Sequence, residues 1–172
     1  MRQMLDRLFN AAGYLAGIFM IGTLAAVLAS ILGRLHPVFD LPGADAYAGY
    51  CMAASAFLAL APTLRRGEHI RVTLLLNHLP AGGQRALDIL CHIVAVALSG
   101  ALAWFSIRLV MQSREFFDIS TGLDATPLWI PQLGMAAGTT LFALAFLGDL
   151  ILLLRGEPLR EVSADNEPAR IE

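Results

Sequence analysis

Ala53-Ala54-Ser55-Ala56-Phe57-Leu58-Ala59-Leu60-Ala61-Pro62-Thr63-Leu64 runs without a charge into Arg65-Arg66-Gly67-Glu68-His69-Ile70-Arg71-Val72, a dense cationic knot. An apolar run that ends on arginines reads as a membrane helix reaching its water-facing edge. Basic residues there fix which side of the bilayer that edge occupies. The same pattern recurs along the chain. Between Arg7 and Arg34 lie 26 residues with no formal charge, enough to cross a hydrocarbon core of about 30 Å as a helix. Runs of 19 separate Asp45 from Arg65 and Asp88 from Arg108, and a run of 24 separates Asp124 from Asp149.

Composition agrees with this reading. The chain is 57% hydrophobic and 15% charged, with a mean hydropathy of +0.65; an average soluble domain carries roughly 25% charged residues. A soluble fold of 172 residues has no interior large enough to hide that much apolar surface. The expected architecture is an all-α integral membrane protein, residues 1–172 forming one membrane domain with no separate soluble unit. Its spans fall at about 8–33, 46–64, 86–107 and 128–154, and a polar tail occupies 155–172. The first run exceeds the 7–15 residues of a signal-peptide core, so it reads as a retained helix. Cys51 and Cys91 both sit inside spans and do not suggest a disulfide framework. A net charge of −2 offers nothing to nucleic acid.

All 12 basic residues are arginines. Nine lie on one side of the predicted membrane (Arg2, Arg7, Arg65, Arg66, Arg71, Arg85, Arg155, Arg160, Arg170), and Arg34, Arg108 and Arg114 lie on the other. The richer side is expected in the cytoplasm, with both termini. An even number of spans requires that the termini share a side. The opposite loops hold Asp40, Asp45, Glu115, Asp118 and Asp124, read as solvated loop residues or as a docking surface for an external partner.

After the knot, Ile70, Val72, Leu74, Leu75, Leu76 and Leu79 alternate with polar residues up to Pro80. That stretch is too short to span. Residues 68–79 are expected to form a short interfacial amphipathic helix between spans two and three, with Arg71 and His78 toward lipid phosphates. Gly13-x-x-x-Gly17 and Gly134-x-x-x-Gly138 have the spacing that lets helix backbones approach closely in lipid. Pro62 is expected to bend or end the second helix. Thr126-Pro127-Leu128-Trp129-Ile130-Pro131 gives the last helix a stiff lead-in, and Trp129 suits an interfacial belt.

Catalytic constellations are missing from the sequence. His92 is the only titratable candidate well inside a run, and a lone histidine there is more simply a hydrogen-bonding residue than a ligand. Glu68-His69 has no second histidine at zinc-protease spacing, and with no lysine the chain cannot complete a phosphate loop. Ser55 and Ser99 have no evident base. No cofactor and no metal is expected, and the chain reads as non-catalytic. Carriers hold substrate at broken helices within repeats, which four short spans do not provide. An accessory membrane subunit is therefore the leading reading. A haem-binding anchor pairing His92 with another histidine, or a small exporter acting alone, are the alternatives.

From Tyr50 through span two into Arg66-x-x-His69-Ile70-Arg71-Val72, then aliphatics and Leu79-Pro80, the chain resembles the small permease subunit of tripartite ATP-independent periplasmic (TRAP) transporters, the DctQ-like family. Thr126, Pro127, Ile130 and Pro131 are a second match, and Asp45 stands where the family often carries an acidic residue. Thr73 departs from a frequent aspartate, and Ala136 and Ala137 from a frequent proline. The resemblance implies a partner-dependent role in organic acid uptake. A large permease subunit carries substrate and ions, a periplasmic solute-binding protein delivers the substrate, and this subunit braces the fixed wall. Tyr50, Arg65, Arg66, Gly67, His69, Ile70, Arg71, Val72 and Pro80 are then expected to serve assembly and anchoring to membrane lipids. Asp45, Pro127, Trp129 and Pro131 face the periplasm in this reading.

Overall fold

The computed structural model describes residues 2–35, 42–65, 81–122 and 124–156. Four helices fill them: α1 (Arg2–Leu35), α2 (Ala44–Arg65), α3 (Ala81–Glu115) and α4 (Trp129–Arg155). All four contain stretches long and apolar enough to cross a membrane. At about 1.5 Å per residue, α2 is roughly 33 Å long and α4 roughly 40 Å, while α1 and α3 each exceed about 50 Å. The outer ends of the two longer helices therefore stand clear of a core of about 30 Å, or the helices tilt.

The third span is longer than the charge pattern suggested. α3 continues past residue 107 to Glu115, so Arg108 and Arg114 are helical residues and not loop residues. An arginine costs an exposed helix little, because its stem lies along the surface while its head reaches for water. The other boundaries move by a few residues. The interfacial helix expected over 68–79 lies outside the described residues.

The helices pack in the lateral order α1–α2–α4–α3. Within the described residues α2 and α4 each have two neighbours, whereas α1 packs mainly on α2 and α3 mainly on α4. Both termini of the described chain lie at one end of this row, here the near end. Leu35, Ala44, Glu115 and Trp129 mark the far end.

Small residues make each joint. On α3, Ser99, Ala103, Ser106 and Ser113 are buried at alternating spacings of four, three and seven, a coiled-coil-like seam. The hydroxyls of Ser99 and Ser106 donate to the carbonyls of Ala95 and Leu102, so neither is left bare in an apolar setting. Thr139 on α4 is likewise buried and donates to Met135 and Ala136. Most large side chains of α1 and α3, from Ile18 and Leu24 to Leu98 and Phe105, point outward. That inverts a water-soluble core and suits lipid as the surrounding solvent.

The helix ends follow local rules. Gly43, with φ of +82°, turns the chain into α2, and its carbonyl accepts from Ala46 and Tyr47. Gly156, with φ of +74°, closes α4 in the left-handed conformation, its N–H donating to Leu153. Pro131 falls in the first turn of α4, where its missing N–H has no helical partner to lose. Pro62 lies in the last turn of α2, which still runs to Arg65. At the end of α3, Asp118 N–H reaches back to the Ser113 carbonyl over Phe117, whose φ is +54°. This is the turn in which glycine is usual; a phenylalanine there costs about 1–2 kcal/mol.

Candidate assembly site

Three clusters hold the row together and define what it presents. At the near end, α1, α2 and α4 converge on Phe9, Ala61 and Ala145, with Leu5, Leu64 and Leu141 around them. Arg65 closes this junction. Its Nη1 donates to Asp6 Oδ1 at 3.0 Å, and its guanidinium lies 4.7 Å from the centroid of the Phe9 ring. The first arginine of the knot is thus held by α1. Its partly enclosed ion pair ties two helices whose apolar faces have no preference for one another over lipid.

At mid-height, two glycines of α4 meet the backbone of α2. A Cβ on Gly134 would stand 2.8 Å from the Ala54 Cβ, and one on Gly138 would overlap the Phe57 carbonyl group. The α1 pair behaves unequally. Gly13 lies in ordinary contact with Pro62, whereas among the described residues nothing comes within 4 Å of where a Gly17 Cβ would stand. Ser55 crosses from α2 to donate to the Ala16 carbonyl at 2.9 Å, and Gly22 faces Cys51.

At the far end, the α3–α4 loop folds back on α2 through one carboxylate. Asp124 accepts from Tyr50 Oη at 3.0 Å and from Ser120 Oγ at 2.8 Å. Thr126 Oγ1 lies 3.3 Å from Tyr47 Oη, and the two tyrosines meet edge to face. Gly43 lies beneath this carboxylate, where a Cβ would come within 2.6 Å of Asp124 Cβ. Ser120 N–H donates to the Thr126 carbonyl and Leu128 N–H to that of Asp118, which squares the loop into a small bridge between Ile119 and Pro127. Partial burial pushes the Asp124 carboxyl up, but donors from Thr126, Ser120 and Tyr50 outweigh it and hold the group below the ordinary carboxylate value. Beside this cage, Ser30 and Arg34 of α1 meet Asp45 of α2, the hydroxyl at 2.5 Å and the guanidinium at 3.5 Å.

The sequence-derived residues therefore scatter over the molecule. Tyr50 joins the Asp124 cage, Asp45 the α1 pair, and Arg65 the near-end junction. Trp129 begins α4 with the Arg114 guanidinium 5.9 Å from its ring centroid, and Pro127 and Pro131 flank it. Arg66, Gly67, His69, Ile70, Arg71, Val72 and Pro80 lie outside the described residues. Asp6, Phe9, Tyr47 and Ser120 are not marked by the sequence; Asp6, Phe9 and Tyr47 meet partners distant in the chain, which no local spacing signals, whereas Ser120 bonds to Asp124 four residues on. His92 turns its Nδ1 to the Asp88 carbonyl at 2.8 Å and its ring edge to Phe146. Among the described residues, no group of three or more His, Cys, Asp or Glu side chains is placed to hold a metal ion.

The geometry defines a class first: a membrane protein whose described residues form four helices of spanning length, tied to one another by polar contacts. The chain belongs to the DctQ component family of tripartite ATP-independent periplasmic transporters, whose profile matches residues 6–156. It is thus a membrane component of a transporter, and that family is not an enzyme class. A comparison with individually curated proteins found no match.

Proposed function

We propose that the chain is the small scaffold subunit of a TRAP-type secondary transporter importing an organic acid. It works beside a large permease subunit and receives substrate through a periplasmic solute-binding protein. The family match over residues 6–156 carries this reading. The open row of helices supports it: α1 and α3 leave broad apolar flanks, and the polar contacts described tie helices to one another and to loops. A wall that must stay still while a neighbour moves gains from such internal ties and needs no substrate site of its own. Both termini are assigned to the cytoplasm by the arginine bias. The segment from Arg66 to Pro80 is proposed to anchor the wall at the cytoplasmic headgroups, each arginine near anionic lipid adding about 1 kcal/mol.

The test is co-expression with a large TRAP permease subunit from the same source, followed by pull-down in mild detergent and uptake in vesicles. Co-purification, with uptake that needs both subunits and the binding protein, is the expected result. Uptake by the large subunit alone at full rate would overturn the scaffold role.

A further inference from the structure

We draw no further inference here: the strongest candidate, the exposed apolar patch of Phe116, Phe117 and Ile119 where α3 gives way to the α3–α4 loop, carries nothing because nothing in the structure shows what covers it.

Discussion

Asp124 shows how one side chain joins segments that the sequence keeps apart: its carboxylate is bonded to Tyr50, 74 positions away. Because its folded pKa lies below the unfolded value, its contribution is fully present above the unfolded pKa near 3.9 and is lost as pH falls through the folded one. The thermal midpoint of the purified protein should therefore be flat around neutrality and drop at acidic pH. Asp124→Asn should begin lower and lose part of that acid slope; an unchanged slope would show that other carboxylates carry it. Tyr50→Phe should lower the midpoint at neutral pH in the same direction by a smaller step. Arg65 makes a parallel case at the near end. Arg65→Ala removes an ion pair and a contact with the Phe9 ring, and about 1–3 kcal/mol should be lost in reversible unfolding in detergent. A double-mutant cycle with Asp6→Asn isolates the pair. Neither contact is readable in the sequence: Tyr50 and Arg65 stand in a motif, Asp124 reads only as a loop carboxylate, and no spacing pairs them with their partners.

At the scale of the helix, the glycines separate by where their missing Cβ would point. Gly138→Leu must push α2 and α4 apart because the obstruction is Phe57 backbone, which cannot rotate away. A loss of about 1–3 kcal/mol or more is expected, measurable as a lowered midpoint and as protease cutting in the α3–α4 loop. Gly17→Ala meets open space and should leave the isolated chain as stable as before. If Gly17→Ala nonetheless abolishes co-purification with the large permease subunit, that flank of α1 belongs to the shared interface. The spacing Gly-x-x-x-Gly was visible in both helices, but spacing fixes only which residues share a face. It does not fix what that face meets. The length of α3 was underestimated for a related reason: a charge marks where side chains want water, not where backbone hydrogen bonding stops.

For the whole molecule, the nine-to-three arginine bias predicts that a fluorescent protein fused after residue 172 glows in the cytoplasm, while alkaline phosphatase inserted after Asp118 is active outside. The opposite pattern would reverse every statement about sides and leave the fold untouched. Membrane residence and the four spanning-length helices of the described residues were determined by the sequence alone, because apolar length and charge spacing act residue by residue and need no partner to be read. The order α1–α2–α4–α3 was decided only in the tertiary structure. In lipid, one apolar face is as well solvated as another, so neighbours are chosen by shape and by a few polar ties. Those ties, Gly138 against Phe57, Tyr50 with Asp124 and Arg65 with Asp6, exist only once distant segments have met.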